Sequence, residues 1–394
     1  MKPLENKNIY ALSKVIKREL KSLFSKPLFI ILMVGIPIFC TIFFTSLMQE
    51  GLPQKLPAGA VDMDNSSNSR SLLHTLNAFS LTDITAHYPT ISNATKAMQE
   101  GEIYGFYYIP KDFSKDLQSS RIPVLSFYTD NTYLIPGTLL YKNMKTVSEL
   151  VNAKMLITTL KAKGMSDDQV MGKVAPITLD THGLGNPWVN YSIYLSNTVV
   201  PGIIILLILV ITVYSISNEI KEKTSLEWLK TANNSIHIAL LGKLLPQTII
   251  FAISTYIFDF YVFNILNFPC NNGMMGVLFN SLVMILGAQG CGLMMVSILP
   301  NPRFSLSFAS IWGVISISIA GVSFPIDAMD PFLTILSNFF PLRHFFMIYR
   351  DQTLNGYEMI YSIYHYLALL GFMLAPLIVI KRLKHALISF KYIP

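Results

Sequence analysis

Residues Ser196–Ser217 read SNTVVPGIIILLILVITVYSIS, a run without one charged side chain, and Asn218-Glu219-Ile220-Lys221-Glu222-Lys223 follows at once. A helix needs roughly 20 apolar residues to cross a bilayer. A run apolar on every face cannot be a surface helix of a water-soluble domain, which keeps one polar side. Five further segments are long and apolar, with charges only in Ile236–Phe263 (Lys243 and Asp259): Leu28–Met48, Ile236–Phe263, Met274–Leu299, Phe304–Phe324 and Met359–Ile380. The fold class that follows is a membrane all-α protein of six transmembrane helices. One large polar segment, residues 49–195, lies between the first and second helices.

Composition agrees. Hydrophobic residues make up 52% and charged residues 13%, against roughly 25% charged in soluble chains. The net charge of +7 is informative through its placement. Lys2, Lys7, Lys14, Lys17, Arg18, Lys21 and Lys26 precede the first span, and Lys381, Arg382, Lys384 and Lys391 follow the last. Lys221, Lys223 and Lys230 lie after the second span and Arg303 after the fourth, whereas Asn264–Gly273 has no charge. The positive-inside rule then places both termini in the cytoplasm and 49–195 outside; long translocated domains do not count toward that rule. The first apolar run is too long for a signal peptide, and Thr45-Ser46-Leu47-Met48-Gln49 offers no small-x-small cleavage site, so a retained span is expected. Cys40 and Cys291 fall in spans and Cys270 in a short external turn, so no disulfide framework is expected. Asn65-Ser66-Ser67 and Asn93-Ala94-Thr95 fit the glycosylation sequon, a pattern short enough to arise by chance.

Along the chain, residues 1–27 hold a cytoplasmic amphipathic helix, with Ile9, Leu12, Ile16, Leu20 and Leu23 at helical spacing and lysines on other faces. It suits the headgroup layer. Pro37 should break the first span (28–48), its freed carbonyl satisfied by a neighbouring helix. The segment 49–195 alternates strands and helices, predicting an extracytoplasmic α/β domain. Strands are expected at Ala58–Asp64, Ile84–Tyr88, Tyr104–Ile109 and Val124–Thr129, with helices capped by Asn65–Ser69 and over Ala94–Gln99, Asp112–Gln118, Leu139–Lys163 and Asp167–Val174. An extended stretch, Ile177–Thr181, leads to the second span, 196–217. Residues 218–235 form a cytoplasmic loop, 236–324 the third to fifth spans, 359–380 the sixth, and 381–394 a cytoplasmic tail. Ser305, Ala309, Gly313, Ser316 and Ala320 form a small-residue stripe on the fifth span. Such a stripe serves helix packing within the chain or a dimer interface. Residues 325–358 are apolar but too short to span; two short helices broken at Pro341 suit an outer re-entrant or interfacial hairpin.

Nothing in the sequence suggests catalysis. Asp259 stands nearly alone in the spans; a carboxylate within a span is a functional candidate, but its place toward the outer end favours one that simply reaches the interface. His237, His344, His365 and His385 are too scattered for a metal site. No GxxxxGK[ST] phosphate loop occurs, since neither Gly172-Lys173 nor Gly242-Lys243 has the flanking residues. Any ATP would therefore act on a partner. Glu219, Glu222 and Glu227 against Lys221, Lys223 and Lys230 make the 218–235 loop a mixed-sign surface, better suited to a protein than to nucleic acid.

Four local patterns occur in order: Gly59-Ala60-Val61-Asp62-Met63-Asp64-Asn65-Ser66-Ser67; Tyr104-Gly105-Phe106-Tyr107-Tyr108-Ile109-Pro110-Lys111-Asp112-Phe113-Ser114; Thr224-Ser225-Leu226-Glu227-Trp228-Leu229 with Gly242-Lys243-Leu244-Leu245-Pro246; and Ser323-Phe324-Pro325 through Phe340-Pro341-Leu342-Arg343-His344-Phe345. With this topology the chain resembles the permease subunits of bacterial ABC type-2 exporters, over essentially its whole length. The resemblance implies an inner-membrane exporter permease that is not itself an enzyme. Its partners would be a cytoplasmic ABC ATPase carrying ATP and Mg, a second permease copy or close paralogue, membrane lipid and a periplasmic adaptor. It also implies an ATPase-coupling segment over Glu219–Thr231, with Glu219, Glu222, Thr224, Glu227, Trp228 and Leu229 as its residues and Glu227 and Trp228 as anchors. Pro325, Pro341 and Arg343 would mark the outer hairpin. Relatives often carry Gly where this chain has Lys223, which leaves the turn there open. Two other readings compete: a secretion-scaffold or phage-receptor-like protein of the same architecture, and an intramembrane enzyme, disfavoured by the missing polar cluster.

Overall fold

The computed structural model describes residues 2–47, 49–119, 123–175, 177 and 180–389. Met48, Lys391 and part of the Ile177–Thr181 stretch lie outside the described residues. Two compact units emerge, one from residues 1–51 with 182–394, the other from 52–181.

The first unit opens with α1 (Lys2–Ser25) and α2 (Pro27–Ile30), a π-helical turn at Ile31–Gly35, and α3 (Ile36–Leu47). Pro37 cannot donate to the Met33 carbonyl four residues back. Ser254 Oγ, from a neighbouring helix, donates to that carbonyl at 2.8 Å, as the sequence requires.

The second unit follows: β1 (Leu56–Asp62), α4 (Ser67–Asn77), β2 (Thr82–His87), α5 (Ile91–Gln99), β3 (Gly105–Ile109), α6 (Phe113–Gln118), β4 (Ser126–Thr129), α7 (Leu134–Ala162) and α8 (Asp167–Val174). The sheet order is β2-β1-β3-β4, with β1 parallel to β2 and β3, and β4 antiparallel to β3. Helices cover both faces, so β1 is buried along most of its length. Leu72, Leu76, Leu140 and Val147 pack with Ala58, Ala60 and Tyr107 on one side; Ala94 and Ala97 pack with Val61 and Phe106 on the other. Ser66 caps α4 through Ser69 N, and Asp62 accepts from Asp64 N, Asn65 N and Ser69 Oγ. The first two quoted patterns meet here: Asn68 Nδ2 and Asp64 Oδ2 hold Ser114.

The chain re-enters the first unit with α9 (Tyr191–Lys221), α10 (Ser225–Thr231), α11 (Ile236–Phe260, prolonged by a π turn to Ile265), α12 (Gly273–Ile298), α13 (Pro302–Ile319), α14 (Pro331–Ser337), α15 (Pro341–Ile348), α16 (Ile363–Leu374) and α17 (Pro376–Ser389). Among the described residues, six helices are long and apolar enough to cross a membrane: Pro27–Leu47, Tyr191–Lys221, Ile236–Ile265, Gly273–Ile298, Pro302–Ile319 and Met359–Ser389. Helix overruns the apolar runs at two ends, since α9 and α17 continue into charged sequence. α9 is the central element, buried along most of its length.

The small-residue stripe of α13 is taken up inside the chain. Ser305, Ala309, Ser316 and Ala320 are buried, and a side chain at Gly313 would strike Leu206 of α9. Of the two uses the sequence allowed, the structure places this stripe in helix packing within one chain, with α9 and α13 in extensive contact.

Candidate functional site

One end of the membrane unit gathers the basic segments. Arg382 Nη2 donates to Ile298 O at 3.1 Å, Lys384 Nζ to Asn234 O at 2.8 Å and Ser225 Oγ to Leu387 O at 2.6 Å. Asn233 Nδ2 donates to Lys7 O, bringing the start of α1 to the same place. The other end joins Gly51 to Tyr191, and Asn271 to Thr353.

At the basic end four charges interlock. Arg18 grips Glu219 with two hydrogen bonds, at 2.7 and 2.8 Å. Lys243 Nζ lies 2.6 Å from Glu19 and 3.0 Å from Glu219, and Gln247 Nε2 donates to Glu19 at 3.0 Å. Thr224 Oγ1 donates to Glu219 at 2.5 Å. Two cations face two carboxylates, so the cluster is neutral, and each carboxylate has several donors, as buried ions require. It ties α1, α9 and α11 together, with Trp228 of α10 beneath the Lys243 ammonium, 5.0 Å from ring centre. Gly242 makes this approach possible, because a Cβ there would collide with Val15 of α1.

The face of α1 that meets the bundle differs from the one periodicity selects. Ala11, Val15, Glu19 and Leu23 are buried, spaced four residues apart. Ile9 is exposed and Leu12, Ile16 and Leu20 only half-buried. A carboxylate in the buried stripe hides it from any count of apolar residues.

The turn into α10 resolves the Lys223 question. Lys223 has φ +58°, its N–H reaches Ile220 O at 3.2 Å, and Thr224 N reaches Glu219 O at 2.9 Å. This is the Schellman ending of α9, with lysine in the left-handed position that glycine favours. A second such ending closes α10, where Asn233 and Asn234 have positive φ and Asn234 N bonds to Leu229 O at 2.8 Å.

The proposed coupling residues divide accordingly. Glu222 and Glu227 are exposed, as are Leu226 and Lys230. Thr224 is half-buried. Glu219, Leu229 and Trp228 are buried, Trp228 completely, so Trp228 is not a surface anchor. On a seven-residue helix packed against the bundle, the large ring turns inward and the charged positions turn out.

At the other end, the hairpin has Pro325 exposed and Pro341 buried at the first turn of α15. Arg343 Nη1 donates to Thr334 O at 3.1 Å and to Ser337 Oγ, pinning α15 to the C-terminal end of α14. Placing a cation there suits the α14 dipole. Two histidines the sequence reading left scattered come together: His344 Nδ1 lies 3.0 Å from His365 Nδ1, while His344 Nε2 meets Asn338 O. Among the described residues, no group of three or more His, Cys, Asp or Glu is placed to hold a metal. Asp259 is buried within the protein, 3% exposed, and takes a hydrogen bond from Ser281 Oγ at 2.7 Å.

Among curated proteins, none matches the chain. The family model described as ABC-2 family transporter protein matches residues 27–380. That range takes in the first five membrane helices, most of the sixth and the intervening unit, and the chain belongs to this family of membrane transport components.

Proposed function

We propose that this ABC-2 family permease is the transmembrane half of an exporter, moving substrate out of the cytoplasm with ATP and Mg used by a separate ABC ATPase. The observation that carries the reading is the basic end of the bundle. There α10 shows Leu226, Glu227 and Lys230 outward while its Trp228 rests on the charge cluster joining α1, α9 and α11. A push on α10 therefore meets the central helix through buried contacts. In this reading Glu222 and Glu227 touch the ATPase, and Glu219, Thr224, Trp228 and Leu229 carry the displacement inward. The basic end faces the cytoplasm by the positive-inside rule. Residues 49–195 then lie outside, both termini inside, and the chain sits in a bacterial inner membrane. A second permease copy or close paralogue completes the pathway, with lipid around it and a periplasmic adaptor as an added partner.

The test is co-purification with the cognate ABC ATPase. The variant Leu226→Ala/Glu227→Ala changes two exposed residues, so it should insert and fold normally yet retain much less ATPase. Hot-spot truncations cost about 2 kcal/mol or more, roughly thirtyfold in affinity. Undiminished capture of the ATPase by this variant would refute the docking assignment. Labelling of intact cells with an impermeant thiol reagent checks the topology: after Cys40, Cys270 and Cys291 are replaced, Glu100→Cys should react and Lys230→Cys should not.

A further inference from the structure

A small cavity lies inside the membrane unit, between α9, α11, α12 and the turn after α15. Its polar walls are Asn197, Asp259, Asn280, Ser281, Tyr349 and Thr353, and it has room for one water-sized sphere, about 10 Å³. All six side chains are buried, none more than 5% exposed. The charge on Asp259 has no counter-ion there: among the described residues no Lys, Arg or His pairs with it. An ionised carboxylate in such a place is costly, so the group is neutralised either by a proton or by a cation bound beside it.

The neutral groups around it are also unfinished. One end of the Asn280 amide is buried without a hydrogen-bond partner, while Asn197 and Tyr349 OH, also buried, lie close enough to serve each other. Tyr366 OH is placed to donate both to Asn280 Oδ1 and to Gln352 Oε1, the latter at 2.9 Å, but a hydroxyl has one proton. Turning either amide, Asn280 or Gln352, resolves this, and the NH₂ of each is otherwise without a partner. With Asn280 turned, its oxygen faces the cavity and the polar lining is oxygen throughout.

We propose that this cavity is a binding site for a small monovalent cation, sodium, with Asp259 supplying the charge and Asn197, Asn280 and Tyr349 supplying neutral oxygens. Hard oxygen ligands suit such ions, and a single carboxylate matches a single charge where divalent sites collect several. Tyr349 also lines a wider cavity of about 480 Å³ with Pro325, Arg343 and His365, and so borders both. A bound ion joins three membrane helices and the hairpin at one point, linking occupancy to their arrangement. This inference is independent of where an ATPase docks.

Thermal unfolding of the purified full-length permease tests it, with sodium chloride exchanged for choline chloride at constant ionic strength. The wild-type midpoint should rise saturably with sodium, as binding to the folded state demands. Asp259→Asn, of the same shape, should lose that response while eluting as a single species. Asn197→Ala should shift the sodium dependence to about 10–100-fold higher concentration. Equilibrium dialysis with radioactive sodium gives a second reading that needs no variant, and should approach one ion per chain. Equal midpoints in sodium and choline, no retained sodium, or a sodium response surviving in Asp259→Asn would each overturn the proposal. An infrared carboxyl band that is lost in Asp259→Asn, responds to pH and ignores sodium would assign the cavity to a proton and a water instead.

Discussion

Replacing Lys243 by Met should destabilise the membrane unit far more than replacing Lys243 and Glu19 together. Lys243 and Glu19 are each 3% exposed and 2.6 Å apart. At an effective dielectric constant near 20, that contact is worth about 6 kcal/mol gross. Desolvation of the two ions, several kcal/mol each, offsets most of it. The single variant keeps the desolvation of Glu19 and removes its cation, leaving Gln247 as the remaining donor to it. The four-charge cluster then carries a net charge of −1 in a buried site. Breaking a buried pair in this way costs about 3–5 kcal/mol, and a loss of that size lowers the unfolding midpoint by roughly 10 °C for a unit of this length. In Glu19→Gln/Lys243→Met no charge is stranded, Arg18 still holds Glu219, and the midpoint should return to within a few degrees of wild type. Fluorescence-detected chromatography after graded heating reads all four corners of the cycle. If the double variant is as unstable as the two single losses added together, Glu19 and Lys243 are not coupled and the cluster does not hold the helices.

Three further outcomes follow from the same contacts. Trp228→Ala should cost about 3–5 kcal/mol of stability through the cavity it leaves, whereas Glu227→Ala, exposed, should stay within about 0.5 kcal/mol; the same heating assay separates them. Lys223→Gly should keep the fold and gain up to about 1 kcal/mol, because glycine takes a φ of +58° without a Cβ clash; a clear loss would show that the lysine side chain holds the turn. Gly290→Ala should destabilise more than Gly313→Ala, since the added Cβ would strike backbone atoms of Phe372 and Met373 in the first case and largely the Leu206 side chain in the second; comparing their midpoints decides it.

Much of the architecture was legible in the residues. Charge-free runs such as Ser196–Ser217 declare six membrane helices because lipid leaves the backbone no other way to satisfy its polar groups. Pro37 announced a freed carbonyl, and Asn65–Ser69 a helix start, because both depend on chemistry within one turn of the chain. The alternation of the intervening unit revealed its strands to within two residues or so at most ends. The charged turn and short helix over 219–231 were legible outside the spans, but not which of their residues face out.

The tertiary structure alone decided what each apolar face meets. In a membrane chain, lipid-facing and core-facing positions are equally apolar, so hydrophobicity does not report burial. That is why Trp228 read as an anchor and proved to be core, and why the α13 stripe could not choose its partner until α9 lay against it. Glu19, Lys243 and Asp259 are the sharper cases. A buried charge is tolerable only beside groups that compensate it, and for Glu19 those lie 224 and 228 residues away. Asp259 finds Ser281 on the next helix and His344 finds His365 across α16. Such pairings are three-dimensional matches between distant segments, and local periodicity carries no trace of them.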